Sequence, residues 1–236
     1  MRFHAPLIEG VLIKRHKRFL AEIKLATGED VTAHCANSGS MLSVREPGAR
    51  VWVSPAANPE RKLRYTWEII EVNGAMVGIN TSHPNQIVSE AIAAGHIPEL
   101  TGYPVLKREQ KYGKNSRIDI LLEAPDRAPC YVEVKNVTMR RTPKGPAEFP
   151  DSVTSRGAKH LQELGDMVAA GARAVMFYLV QRGDCDRFTI AADLDPEYAK
   201  ALKLAKKRGV SAICYSAQVT PKIIEVDKPL TLDLPA

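Results

Sequence analysis

Arg117-Ile118-Asp119-Ile120-Leu121-Leu122-Glu123-Ala124-Pro125-Asp126-Arg127-Ala128-Pro129-Cys130-Tyr131-Val132-Glu133-Val134-Lys135 is the stretch that decides the fold. Two apolar runs, Arg117–Leu122 and Cys130–Lys135, flank a turn that holds two prolines. An antiparallel hairpin centred on Asp126 brings Asp119 opposite Glu133. Side chains alternate along a strand, so Ile118, Ile120, Leu122, Cys130, Val132 and Val134 form one apolar face. Arg117, Asp119, Leu121, Tyr131, Glu133 and Lys135 form the other. Like charges directly opposite each other destabilise a ladder. Two facing carboxylates with a lysine two residues on therefore ask for a divalent cation, and Mg²⁺ or Mn²⁺ suits carboxylate oxygens. The competing reading is an ordinary polar strand face, with Asp119 paired diagonally to Lys135. A register slip of one residue would remove the argument.

The 236 residues allow one large or two ordinary domains, and 44% apolar content supports a sizeable core. The net charge of +6 permits an anionic partner without requiring one. Cys35, Cys130, Cys185 and Cys214 form no CxxC pair, which speaks against a structural zinc site. No apolar run has the length of a membrane span. Met1-Arg2-Phe3-His4-Ala5-Pro6 does not read as a secretory signal, so a reduced cytoplasmic setting is expected.

Six short apolar runs fall before residue 80: Leu7–Ile13, Phe19–Leu25, Val31–His34, Val51–Val53, Tyr65–Val72 and Met76–Ile79. Turn signals separate them, as in a small barrel, and an OB-like barrel is the first choice. At Ser82-His83-Pro84 the pattern changes to a helix start. Ile87, Val88, Ala91 and Ile92 line one face of that helix, and Gly95 ends it. A second helix is expected from a cap at Asp151-Ser152, with Leu161, Leu164 and Val168 inward. Ala174–Val180 reads as a strand buried on both faces, and Asp195-Pro196 opens a third helix. The expected organisation is an OB-like domain over residues 1–82 and an α/β domain over 83–236.

Basic residues gather in three segments. Lys14, Arg15, Lys17 and Arg18 should project as a hairpin loop between the first two strands. Lys107, Arg108, Lys111, Lys114 and Arg117 precede Asp119. Arg140 and Arg141, with Lys144, follow the second strand of the hairpin. Cations on both sides of two carboxylates suit a phosphate backbone, although charge runs are often only solvated. Arg156 and His160 on the second helix are further phosphate contacts, Glu90 a further metal ligand and Glu109 a weaker one. Trp52, Tyr65 and Trp67 could stack bases, but at strand spacing core packing is the commoner use.

Arg117-Ile118-Asp119, Glu133-Val134-Lys135 and the helix behind them resemble the PD-(D/E)xK nuclease-like superfamily. Four segments in order are similar to the sugar fermentation stimulation protein A family: Asn37-Ser38-Gly39-Ser40-Met41, Asn115-Ser116-Arg117-Ile118-Asp119, Glu133-Val134-Lys135-Asn136-Val137 and Phe149-Pro150-Asp151-Ser152-Val153-Thr154-Ser155-Arg156-Gly157-Ala158-Lys159-His160-Leu161. The likeness covers nearly the whole chain. It implies an N-terminal OB-like barrel, a C-terminal restriction-endonuclease-like domain, DNA as partner and a role in regulating sugar (maltose) utilisation. By motif Asp119, Glu133 and Lys135 match the nuclease triad. Ile118 stands where the superfamily's name has proline, and Glu90 has no motif anchor. Three functions follow for comparison: a DNA-binding, Mg²⁺-dependent phosphodiester-hydrolysing protein; a non-catalytic DNA-binding regulator; and a sugar-sensing protein, for which no aromatic-rich polar pocket speaks.

Overall fold

The computed structural model describes residues 1–58, 60–113 and 116–234. Strands β1 (Ile8–His16), β2 (Leu20–Leu25), β3 (Asp30–Cys35), β4 (Arg50–Pro55), β5 (Tyr65–Val72) and β6 (Ala75–Gly78) form one sheet in the order β3-β2-β1-β4-β5-β6. An additional parallel pairing of β3 with β5 closes the first five strands into a barrel. Closure removes the exposed edges of an open sheet. The inward residues, among them Leu12, Ile23, Ala33, Val51, Val53, Trp67 and Ile70, make its core. Trp67 belongs to that core and Trp52 is buried outside it, so neither is a base-stacking surface. Strand β1 runs through Lys14, Arg15 and His16, which leaves Lys17, Arg18 and Phe19 as the tight turn, the first two at positive φ.

Helix α1 (Pro84–Ala93) starts at His83 with Pro84 in its first turn, and Gly95 follows it at φ 74°. A second six-stranded sheet has the order β14-β13-β11-β9-β8-β7. Its strands are β7 (Val105–Tyr112), β8 (Ser116–Ala124), β9 (Arg127–Val137), β11 (Arg173–Val180), β13 (Ser211–Val219) and β14 (Ile224–Pro229). The central strand β11 runs parallel to both neighbours and is buried along Ala174–Val180. A short parallel sheet of β10 (Ala147–Phe149), β12 (Arg187–Ile190) and β15 (Thr231–Asp233) completes the strands. Helix α1 covers one face of the large sheet, through Ile87, Val88, Ala91 and Ile92. Helices α2 (Ser155–Ala169) and α3 (Pro196–Lys207) cover the other, through Leu161, Leu164, Tyr198 and Leu202.

The cap of α2 is Thr154, whose hydroxyl accepts from the Gly157 N–H. Asp151, expected as a cap, instead accepts from the Met41 N–H at 2.7 Å and thereby ties α2's approach to the barrel. Asp195 caps α3 and also accepts from the Thr154 N–H at 2.7 Å, which locks the starts of the two helices together. Strand β7 falls where sequence suggests a linker. Its residues Lys107–Lys111 alternate too weakly to announce an edge strand.

Candidate active site

The hairpin register is the one that sets Asp119 against Glu133: Ile120 pairs Val132, Leu121 pairs Tyr131 and Leu122 pairs Cys130. The ladder stops there. Asp119 is skipped by its pairing with β7 as well, where the facing Glu109 has φ 53°. The alternation resets at this irregularity. Ile120, Leu122, Cys130, Val132 and Val134 join the α1 core, whereas Ile118 joins the α2 core with Tyr112. The single apolar face expected from sequence is therefore two. Where the strands part, the Asp119 carboxylate enters, accepting from the Val134 N–H at 2.7 Å and from the Asn85 amide at 2.8 Å. Asn85 also donates to Glu109, at 2.9 Å.

Glu133 is 2% exposed. One of its oxygens accepts from Lys135 Nζ at 2.8 Å and from His160 Nδ1 in a short contact. Arg156 Nε donates to His160 Nε2 at 3.3 Å, so the imidazole's proton sits on Nδ1 and points at Glu133. The other Glu133 oxygen, Oε2, is buried without a hydrogen-bond partner among the described residues. A buried, unpaired carboxylate oxygen is costly. Burial raises the Glu133 pKa, but the hydrogen bond from His160 and the charge and hydrogen bond of Lys135 outweigh it and hold the carboxyl below its ordinary value. Asp119 goes the other way: burial first, then the Glu133 charge, push it up to about 6. Burial and these carboxylates also raise the neighbouring Tyr112 phenol. Two carboxylates with divergent pKa values in one cleft make this the candidate site.

The cleft is a cavity of about 410 Å³. The barrel lends it Asn37, Ser38 and Gly39; the second sheet and its helices lend Asn85, Asp119, Glu133, Lys135, Arg156 and His160. A divalent cation fits this donor set because Glu133 Oε2 lacks a partner and the Asp119 oxygens each have only one. Among the described residues no cluster of three or more His, Cys, Asp or Glu side chains stands ready to hold a metal.

The other sequence-derived positions divide. Glu90 does not join the carboxylates: it pairs with the Met1 ammonium at 2.7 Å in a separate pocket. Arg140 is no surface cation. It is held by Asp184 at 2.8 Å. Arg141 is spread over Glu148 and Asp193. Arg15 spends its guanidinium on the carbonyls of Arg18, Asn37, Gly39 and Ser40. His160 serves Glu133 rather than solvent. Lys14 pairs with Glu22 and Lys107 with Glu123. Lys17, Arg18, Arg108, Lys111 and Arg117 are exposed. Lys114 lies outside the described residues. Lys111 and Arg117 face each other directly across the β7–β8 ladder, a like-charge pair that invites an anion. Sequence reading missed Asn85 and the barrel loop. The signal for the loop was present in Asn37-Ser38-Gly39-Ser40-Met41, but only the tertiary fold carries it to Asp119.

A closed OB barrel joined to a restriction-endonuclease-like α/β domain with an Asp/Glu/Lys cleft defines the class. The chain belongs to the sugar fermentation stimulation protein family. Residues 13–79 match the SfsA N-terminal OB domain, and residues 82–223 match the sugar fermentation stimulation protein RE domain. It is 58% identical over 234 residues to the sugar fermentation stimulation protein homolog of Paramagnetospirillum magneticum, spanning 99% of this chain and 98% of the relative. The Rhodospirillum centenum homolog is 59% identical over 232 residues, with 98% and 99% covered. A solved structure of Pyrococcus furiosus SfsA in complex with Ca²⁺ superposes with a TM-score of 0.87 at 26% identity, over 99% of this chain and 98% of that one. Among the described residues no helix is long and apolar enough to cross a membrane.

Proposed function

We propose that this chain binds DNA with little sequence preference and hydrolyses phosphodiester bonds with Mg²⁺ or Mn²⁺, its domains meeting at residues 82 and 83. The unpartnered Glu133 oxygen, in the same cavity as Asp119, carries the reading. The Ca²⁺ of the Pyrococcus furiosus relative, another hard, oxygen-seeking cation, supports it. Asp119 and Glu133 would hold the ion. When bound, such an ion polarises a phosphoryl oxygen and makes water a nucleophile near neutral pH. Lys135, fixed by Glu133, is placed to orient the attacking water and to balance charge in the cleft. Among the described residues Arg156 uses its Nε on His160, and its other nitrogens would take a phosphate oxygen. Lys111 and Arg117 are further phosphate contacts on the approach.

Labelled single-stranded, duplex and nicked oligonucleotides incubated with Mg²⁺ or Mn²⁺ test this. Wild type should cut at least one form. Asp119→Ala and Lys135→Ala should abolish cutting while retaining DNA affinity within a few-fold. Wild type that binds DNA and metal yet cuts none would instead favour a non-catalytic regulator. Binding should fall steeply with salt, because neutralised phosphates release counterions. Lys111→Ala with Arg117→Ala should flatten that slope, and Arg141→Ala should leave it unaltered. Equal slopes in all three proteins would remove the β7–β8 edge from the footprint.

A further inference from the structure

The β1–β2 tip and the barrel loop at residues 37–41 form one braced unit. Arg15 Nη2 donates to Arg18 O at 2.8 Å, to Asn37 O at 2.9 Å and to Gly39 O at 2.9 Å. The tip and the cavity wall are therefore within reach of a single guanidinium nitrogen. From the other side Asp151 holds the loop, through Ser40 Oγ on its carbonyl at 2.5 Å and the Met41 N–H on its carboxylate at 2.7 Å. Gly39 has no room to be anything else: a Cβ there would lie 2.7 Å from the Asp151 carboxylate. The barrel wall of the cavity and the tip thus share the hydrogen bonds of one arginine.

The tip carries an unusual surface. Phe19 is 45% exposed, and Val11 and Ile13 on the same hairpin are 43% and 41% exposed. Lys17 and Arg18 beside it have no side-chain ion pair among the described residues. Phe19 closes the turn with both backbone groups bonded: its N–H donates to Lys17 O at 2.7 Å and its carbonyl accepts from the Cys35 N–H at 2.8 Å. Elsewhere on the barrel Trp52 and Trp67 are buried, which leaves Phe19 as the aromatic ring that the tip offers to solvent. An exposed aromatic beside cations is the arrangement that stacks an unpaired base while holding its backbone. A duplex hides its base faces and has no use for such a ring.

We infer that the β1–β2 tip binds an unpaired nucleic-acid strand, with Phe19 stacking a base, and that the braced 37–41 loop delivers that strand to Asp119 and Glu133. This rests on the proposed function for what happens at the carboxylates but not for the binding itself. Fluorescence anisotropy in EDTA, with labelled oligo-dT and a labelled blunt hairpin duplex, separates the two. Wild type should prefer oligo-dT. Phe19→Ala should weaken oligo-dT about 5- to 100-fold, the range for losing one stacked base, and leave duplex affinity within about twofold. Phe19→Trp should restore binding, and its new fluorescence should be quenched by oligo-dT. Equal affinities of wild type and Phe19→Ala for oligo-dT, or equal losses on both probes, would overturn the inference while leaving the metal site standing. No binding of either probe by wild type would overturn it together with the nucleic-acid reading. Intact oligo-dT binding with no metal affinity would leave this inference supported and sink only the hydrolytic one.

Discussion

In metal-free buffer near pH 7, Asp119→Asn is expected to raise the unfolding free energy by about 2–3 kcal/mol. Most surface substitutions do nothing of the kind, and removal of a buried polar group's charge is the reason. The Asp119 carboxyl titrates at about 6 in the folded chain against an ordinary 3.8, because burial and then the Glu133 charge resist its ionisation. The sign follows by linkage. Between the two values the native state keeps a proton that the unfolded chain has lost, so stability declines as pH rises from about 4 to 6. Above that range the deficit is complete, and below it there is none. The gain from Asp119→Asn should therefore disappear when denaturant midpoints are measured near pH 4. A gain that persists there, or a loss near neutrality, would contradict the assignment of strain to the carboxylate pair.

Asp184→Ala is expected to cost about 3–5 kcal/mol, although it touches no part of the cleft. Asp184 accepts from Arg182 at 2.6 and 2.9 Å and pairs with Arg140 at 2.8 Å. Arg182 is 1% exposed. Without Asp184 two largely buried guanidinium groups lose their counter-charge, and the desolvation of each is left uncompensated. Arg141→Ala, by contrast, breaks an exposed network and should cost under about 1 kcal/mol. Urea denaturation of both variants separates them. Near-equal effects would show Arg140 and Arg182 to be hydrated and free, as a DNA-contact role for Arg140 requires.

These arginines show where sequence reading succeeds and where it stops. Register is a local property, fixed by a short turn and alternating apolar residues, so Asp119 against Glu133 was legible. Strands of the barrel, the proline-marked start of α1, the capped start of α3 and the doubly buried β11 were legible for the same reason, although no side chain caps α1. Whether a cation is free is not local. Arg140 finds Asp184 across more than forty positions, and Arg15 finds the carbonyls of a different loop. Asp151 caps nothing because Met41's N–H competes for it and Thr154 stands nearer the helix. Glu90 shares a helix with Asn85, yet only Asn85, at the helix start, reaches Asp119. The face reset at Glu109 and Asp119 was hidden because nothing in the sequence marks a glutamate at positive φ.

Calorimetric titration with Mn²⁺ at several pH values tests the central claim, that Asp119 and Glu133 form a divalent-cation site. Wild type should bind with affinity that weakens by up to about tenfold per pH unit as pH falls below 6, because the Asp119 proton competes with the ion. At a hundredfold excess over the dissociation constant the ion should add about 2.7 kcal/mol of stability, and Asp119→Asn should lose both effects. Absence of binding by wild type, or equal binding by Asp119→Asn, would contradict it.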